Sequence, residues 1–278
     1  MTDWRSRQNG DGGWAYSQGC SWTEPTVFVL LAQTATTPDR ESFLRGKKFL
    51  SSLARGDGGW SPQPGEEEST WVTALVALLP EEAVDAQQRR RAIGWLQDKT
   101  GQESGWRFKL QQRLAGNKDD FPDGWAWFPG AAAWVIPTSL SILAFERELR
   151  RDARKSPEMT RRVEAGKRFL LTRMCADGGW NHGANRALGH DGDSYPETTG
   201  IALLALHGEA RSSRMERAIA AGRRHLAACR TAEGIAWLRM GLAAHGEKIA
   251  PEFDPIRRTT MDEALMSLAS AERNPLLA

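Results

Sequence analysis

The chain has 278 residues, of which 40% are hydrophobic and 26% charged, and its formal net charge is +2. A chain of this length buries a substantial core as one or two domains, and so small a positive excess argues against nucleic acid as a partner. No Cys-x-x-Cys pair, no secretory signal and no apolar run of ~20 residues is recognised, so we expect a cytoplasmic protein.

The tetrapeptide Asp-Gly-Gly-Trp recurs and divides the chain into repeats. Full copies stand at 11–14, 57–60 and 177–180, and degenerate copies end at Trp106 and Trp237. The intervals from Trp14 to Trp60 and from Trp60 to Trp106 are both 46 residues. Repeats of this length are typical of stacked helical hairpins.

After each Trp comes a polar loop and then a triplet that suits the first turn of a helix. These triplets are Glu24-Pro25-Thr26, Glu68-Ser69-Thr70, Ile136-Pro137-Thr138, Glu197-Thr198-Thr199 and Arg258-Thr259-Thr260. Proline is tolerated in a first turn, and an acidic residue there meets the positive end of the helix dipole. The runs that follow are apolar almost all round, which predicts burial on more than one side. We place these inner helices near 25–35, 69–79, 136–150, 197–208 and 258–270.

A second set of helices is rich in Arg and Lys and has one apolar stripe, which is typical of an outer layer. We place these outer helices near 40–54, 81–98, 158–174 and 212–229. Each contains one glycine of the set Gly46, Gly94, Gly166 and Gly222. A glycine inside a helix costs roughly 1 kcal/mol relative to alanine, so its recurrence predicts close approach of an inner helix.

The predicted fold is therefore all-α: an α/α toroid, or incomplete α/α barrel, of about five inner and four or five outer helices in one domain, 1–278. An irregular, aromatic-rich insertion at about 107–134 breaks the period and predicts an ordered lid. No outer helix precedes the first turn, so a second protein chain or another copy is a possible partner that completes the ring. The basic outer faces predict a solvated surface or peripheral contact with anionic lipid.

The order of outer-helix glycine, Gly-Gly-Trp, Glu-x-Thr and a Leu-Leu-Ala-Leu run resembles the repeat of the squalene–hopene cyclase and protein prenyltransferase superfamily. The similarity is closest to bacterial prenyltransferase-like repeat proteins and covers about residue 8 to the end. The segments 22–26, 134–138 and 195–206 carry it. This resemblance implies an α/α toroid that binds an isoprenoid or similar apolar ligand in a central cavity.

The class II cyclases of that superfamily carry Asp-x-Asp-Asp-Thr-Ala at the start of an inner helix, and the middle Asp protonates an alkene or epoxide. The resemblance places this motif on 195–200 and the proton donor at Glu197, with Thr198 in place of the neighbouring Asp. Asp191 and Asp193 are nearby acidic groups that could support the donor. A class II cyclase acting from Glu197 is thus an alternative to simple binding.

Glu24 and Glu68 occupy the same place in their triplets as Glu197. Such recurrence predicts a structural role, the capping of a helix start. Because parallel inner helices would bring these carboxylates to one mouth of the toroid, an acidic rim that binds ligand is the alternative.

The tryptophans form two groups. Those of the repeat turns, which we expect to brace the outer helices, are Trp14, Trp60, Trp106, Trp180 and Trp237. Those near inner-helix starts or in the insertion are Trp22, Trp71, Trp125, Trp127 and Trp134. The second group could stabilise a cation, line an apolar ligand pocket or fill the ring as a plug, and the sequence leaves these open.

The prenyltransferase branch implies a zinc site, for which the candidates are Cys175, Asp177 and His182. Their spacing departs from the family pattern, so we expect no metal and no cofactor. A carbohydrate-active α/α toroid is a further alternative, which the apolar inner helices disfavour.

Overall fold

The computed structural model describes residues 3–35, 39–102, 105, 110–111, 114, 122–151, 156–187, 190–249 and 253–277. The helices in this part of the chain are α1 (Thr23–Ala35), α2 (Arg40–Ser52), α3 (Val72–Ala77), α4 (Ala86–Asp98), α5 (Val135–Arg151), α6 (Pro157–Thr172), α7 (Pro196–Ala205), α8 (Ser213–Ala228), α9 (Ala232–Ala244) and α10 (Thr260–Ala269). A short antiparallel hairpin joins β1 (Arg186–Ala187) to β2 (His190–Asp191). None of the described helices is both long and apolar enough to cross a membrane.

The helices form two concentric layers. The inner helices α1, α3, α5, α7, α9 and α10 contact one another in that order, and α10 contacts α1, so the inner ring closes within the chain. The outer helices α2, α4, α6 and α8 pack against this ring. The predicted all-α toroid is confirmed, with six inner and four outer helices in the described part. Since the ring closes on itself, a second chain is not needed for closure, and its presence stays a prediction.

The predicted turn at Trp237 is wrong, because this tryptophan lies in the middle of the sixth inner helix, α9. In the true turns Gly12, Gly58 and Gly178 have φ between +94° and +98°. Gly234 is not among the positive-φ glycines, and its N–H is accepted by the side chain of the N-cap Thr231 at 3.3 Å. A capped start followed by an apolar run makes a helix there.

Helices α7 and α9 touch backbone to backbone. A Cβ atom added to Gly200 would lie 2.4 Å from the carbonyl carbon of Trp237, and one added to Gly241 would lie 2.3 Å from the oxygen of Gly200. Since ordinary contacts are about 1 Å longer, only glycine fits at these two positions.

The ring interior is packed with apolar side chains. Phe28 of α1 and Trp237 of α9 meet edge to face with ring centroids 5.8 Å apart. The helix α10 separates α1 from α9 along the wall, so this contact crosses the inside of the ring. Both residues are buried, and the ring is filled at this level.

One tryptophan per repeat connects three elements. Its backbone N–H donates to a threonine of the inner helix in the pairs Trp14–Thr26, Trp60–Thr73, Trp125–Thr138 and Trp180–Thr199. Its indole N–H donates to a backbone carbonyl in the pairs Trp14–Trp4, Trp60–Leu50, Trp125–Leu96 and Trp180–Leu170. Leu50, Leu96 and Leu170 lie in outer helices, so these tryptophans hold the two layers together.

Candidate functional site

The loops after the repeat tryptophans cover one end of the ring, which we call the N-terminal mouth because the inner helices begin there. Each loop caps the start of a neighbouring inner helix through backbone hydrogen bonds, from Thr23 to Pro62, Trp71 to Trp127, Val135 to His182 and Thr260 to Tyr16. Among the described residues, no loop bond of this kind covers the starts of α7 and α9. At α7 the residue in the donor position is Pro196, which has no backbone N–H.

Acidic side chains gather at the starts of four inner helices that are neighbours in the ring, α7, α9, α10 and α1. Glu197 and Glu233 lie in the first turns of α7 and α9, Glu24 in the first turn of α1 and Asp262 in that of α10. Their charges interact: Glu233 raises the pKa of Glu24, and Glu197 and Asp262 raise the pKa of Glu233. Parallel helix starts thus bring four carboxyls to one mouth.

Glu24 is the most perturbed acid of this group. The Tyr16 hydroxyl donates a hydrogen bond to Glu24 Oε2. Burial raises the pKa of Glu24 to about 7; the bond from Tyr16 opposes this rise and the charge of Glu233 adds to it. Burial and the Glu24 carboxylate also raise the pKa of Tyr16, so the phenol keeps its proton. Near neutral pH a large fraction of Glu24 is protonated and able to donate a proton.

Glu233 strengthens this effect. Burial raises the pKa of Glu233, and the charges of Glu197 and Asp262 add to the rise; the residue as a whole is exposed, so solvent weakens this effect. Asp262 also accepts the backbone N–H groups of Arg258 and Thr259, which fixes it in a capping box. Neither Glu233 nor Tyr16 was predicted as a site residue.

The predicted catalytic residues are only partly brought together. Glu197 lies at the mouth beside Glu233. Asp191 and Asp193 are exposed, at and just after β2. Burial raises the pKa of Cys175, and the charges of both aspartates add to that rise, so they lie near the end of α6. They do not contribute to the raised pKa of Glu24 or of Glu233.

Glu68 is not equivalent to Glu24, and the predicted alignment of the second repeat needs correction. The threonine that accepts the turn N–H is Thr26 in the first repeat and Thr73 in the second. The place of Glu24, two residues earlier, therefore belongs to Trp71. Glu68 is exposed and lies in the loop ahead of α3, so it does not continue the predicted rim.

Trp125 is the turn tryptophan of the third hairpin, equivalent to Trp60 in the second. This position argues against a ligand contact. It is 2% exposed, and both of its N–H groups are bonded within the fold. Trp106, to which the 46-residue period assigned this role, lies outside the described residues. Gly124-Trp125 follows Asp123, so a shortened turn motif was present in the sequence.

The other predicted aromatic residues lie around the mouth. Trp22 packs against Tyr16 at 5.6 Å between ring centroids, and Trp71 meets Trp127 edge to face at 4.8 Å. Trp134 is 37% exposed and stands 6.1 Å from the ring of His182. These rings cap the inner helices from outside, and Trp134 presents the largest open face of the five predicted residues.

Trp134 borders a pocket of about 400 Å³ at the mouth. His182 stands between Trp134 and Tyr195, 5.4 Å from the Tyr195 ring, and Tyr195 is 44% exposed. Arg173 and Asn181 supply polar groups to the same pocket. Tyr195 is the N-cap residue of α7, two residues ahead of Glu197 in sequence, and the four acidic residues are not among those that line this pocket.

Asp177, a zinc candidate, serves the turn instead. It accepts the backbone N–H of Gly179 and the hydroxyl of Ser194. Over the described residues, no three His, Cys, Asp or Glu side chains are grouped so as to hold a metal ion.

Comparison with solved structures finds a similar fold in a type II terpene cyclase from Scytonema, MstE, solved with merosterolic acid A, its product. The TM-score is 0.51 and the sequence identity 18%, and the match covers 86% of this chain and 74% of that chain. No protein-family model matches this chain, and no curated protein matches it in sequence. The likeness shows that the chain has the fold of the type II terpene cyclases.

Proposed function

We propose that the protein binds an isoprenoid or similar apolar ligand at the N-terminal mouth of the toroid. The observation that carries this proposal is the pocket of about 400 Å³ between Trp134 and Tyr195, whose rings are both open to solvent. Small-molecule sites are concave, lined by aromatic and apolar groups, and contain a few polar groups that fix orientation. Arg173, Asn181 and His182 supply those polar groups here.

The mouth, rather than the centre, is the proposed place of binding. The contact between Phe28 and Trp237 occupies the ring interior, and the inner helices are buried along most of their length. A ligand that entered the centre would have to displace these side chains. One that lies across the mouth needs no such change.

Binding is tested by titrating the protein with farnesol and geranylgeraniol and following tryptophan fluorescence, with native mass spectrometry as a second readout. We expect Trp134→Ala to weaken binding at least ten-fold, since the ring forms a wall of the pocket. Phe128→Ala is the matched control, because Phe128 is also an exposed aromatic residue but lies outside the pocket. Equal binding by the two variants, or no binding by the native protein, would refute the proposal.

A second candidate function, acid catalysis, rests on the state of Glu24. A protonated carboxyl at neutral pH, held by Tyr16 and beside Glu233, can transfer its proton to an alkene carbon or an epoxide oxygen of a bound ligand. The ligand gains the proton and becomes a cation, and Glu24 becomes a carboxylate. The cation then loses a proton to water, and water passes a proton back to Glu24. In this candidate Glu24, rather than Glu197, is the donor.

Catalysis is tested by incubation with squalene, oxidosqualene and prenyl alcohols, followed by mass spectrometry of the products. We expect Glu24→Gln to abolish any cyclised product while Glu197→Gln retains it. The reverse pattern would return the donor role to Glu197, and absence of product from a native protein that binds ligand would leave binding as the function.

A further inference from the structure

A groove lies between α8, α9 and the residues that follow α9. Its volume is about 460 Å³, which is within the range of about 300–1,000 Å³ for small-molecule sites. It shares no lining residue with the pocket beside Trp134. An occupant of this groove is therefore a question separate from the ligand proposed for the mouth.

The floor of the groove is apolar. Ile235 and Leu242 of α9 line it and are 2% and 1% exposed, and their spacing of seven residues places them on one face of the helix. Leu226 of α8 and Ile249 after α9 also line it, and both are half-buried against the same core. A hydrocarbon chain that lay along this floor would remove apolar surface from water.

The rim of the groove is basic. Four of its lining residues carry a positive charge: Arg223, Arg230, Arg239 and Lys248. Within the described part of the chain, Glu247 is the only acidic residue that lines the groove. Its carboxylate is already held by Arg223, whose Nε lies 2.8 Å away, and by Arg211, whose Nη2 lies 3.1 Å away. Glu247 therefore does not balance the other three cations.

Two of these three cations meet at Phe253. The Arg230 guanidinium lies over the Phe253 ring, 5.2 Å from its centroid, and Arg239 Nη2 donates to the Phe253 carbonyl at 2.8 Å. Among the described residues no carboxylate pairs with Arg230, Arg239 or Lys248, and Asp254 is held by Arg257 at 2.8 Å. Like charges that lie close together repel one another, and a bound anion relieves that repulsion.

Both guanidinium groups are held in place but keep donors for a ligand. Arg230 uses Nη1 for the carbonyls of Ala227 and Cys229, at 2.9 Å and 2.8 Å, and Arg239 uses Nη2 for Phe253. Their remaining nitrogens make no hydrogen bond within the described residues. A guanidinium donates parallel bonds to phosphate or carboxylate oxygens. Because these side chains are already restrained, binding costs less side-chain entropy.

We propose that this groove binds a single-chain amphiphile with a phosphate head. The head contacts Arg230 and Arg239, with Lys248 as a further cation, and the chain lies on the apolar floor. Three cations match a phosphate monoester, which carries about two negative charges at pH 7, better than they match a carboxylate with one.

The test is isothermal titration calorimetry of the full chain with decyl phosphate, below its micelle concentration. We expect decyl phosphate to bind at least ten-fold more tightly than decanol, which lacks the head, or inorganic phosphate, which lacks the chain. Arg239→Gln and Lys248→Gln should each weaken this binding at least three-fold. Arg214→Gln is the matched control, because Arg214 is an exposed arginine of α8 that does not line the groove. Circular dichroism verifies that each variant folds.

The floor is tested separately by Ile249→Gln. We expect this variant to reduce the preference of the native protein for decyl phosphate over butyl phosphate. Equal affinity for decyl phosphate and for decanol or inorganic phosphate would overturn the proposal. So would equal binding of decyl phosphate by Arg239→Gln, Lys248→Gln and Arg214→Gln.

Sedimentation with vesicles of phosphatidylcholine and phosphatidic acid distinguishes a lipid surface from a single bound amphiphile. We expect decyl phosphate to bind whether or not vesicles are present. Vesicle binding that Lys248→Gln abolishes, in a protein that does not bind decyl phosphate, would overturn the proposal by assigning these cations to a membrane surface.

Discussion

Substituting Gly200 by alanine tests the backbone contact between α7 and α9. The added Cβ would lie 2.4 Å from the carbonyl carbon and 2.5 Å from the next backbone nitrogen, so no side chain can rotate away to relieve the clash. The two helices would have to separate by about 1 Å. Overpacking of a buried site costs about 1–3 kcal/mol. Because backbone is the obstacle, we take the upper end of this range, and the gain of about 1 kcal/mol in helix propensity offsets part of it.

The expected net loss for Gly200→Ala is therefore about 2 kcal/mol, or roughly 4 °C in melting temperature for a chain of this size. Gly94→Ala is the matched control, because Gly94 also lies inside a helix but a Cβ there meets nothing within 4 Å. That variant should gain about 0.5–1 kcal/mol. Thermal unfolding followed by circular dichroism compares them. If Gly200→Ala were as stable as Gly94→Ala, the proposed close packing of α7 on α9 would be incorrect.

Three further outcomes follow from the contacts described above. Trp180→Phe leaves the carbonyl of Leu170 without its indole donor, and Thr138→Val leaves the N–H of Trp125 without an acceptor; each should cost about 1–3 kcal/mol in urea unfolding. A loss below about 0.5 kcal/mol in either would contradict the bracing role. The raised pKa of Glu24 means that folding favours its protonated form, so this stabilisation is full below pH 4.5 and is lost as the pH rises through about 7. The change in stability caused by Glu24→Gln should therefore be more favourable at pH 8 than at pH 5, by about 1 kcal/mol given the partial exposure of Glu24. If the variant and the native protein differed in melting temperature by the same amount at both pH values, Glu24 would have an ordinary pKa.

The layered fold could be predicted because its pattern is repeated in the chain. Full Asp-Gly-Gly-Trp turns mark three hairpins, and apolar runs alternate with basic amphipathic ones. All nine predicted helices are present, with ends shifted by a few residues at most positions. The tenth, α9, was missed because Gly234 and Trp237 resemble the Gly-Trp pair of a repeat turn. The N-cap Thr231 and the apolar run after it indicate a helix instead, and the helix is what forms.

The alignment of repeats was harder to predict than their number. Loop length varies between hairpins, so the Glu68 triplet was matched to Glu24 although the bonded threonine is Thr73. Equal 46-residue intervals likewise favoured Trp106 over Trp125, whose turn keeps only Asp123 and Gly124. Hydrogen bonds define which residues of different repeats are equivalent. Because loop length varies, these bonds could not be located from the sequence.

The candidate site was predicted in part. The acidic mouth and the role of Trp134 in a pocket follow from parallel helix starts, which the sequence indicates. The pairing of Tyr16 with Glu24 could not be predicted, because Tyr16 belongs to a loop whose path across α10 depends on closure of the ring. Glu233 was hidden for the same reason that α9 was missed.

The most direct test of the proposed function is photo-crosslinking with a benzophenone analogue of farnesol, followed by peptide mapping. Binding at the mouth predicts label on peptides that contain Trp134, His182 or Tyr195, and loss of label when unmodified farnesol competes. Competed label on Phe28 or Trp237 would show that the ligand enters the ring centre, and would contradict binding at the mouth.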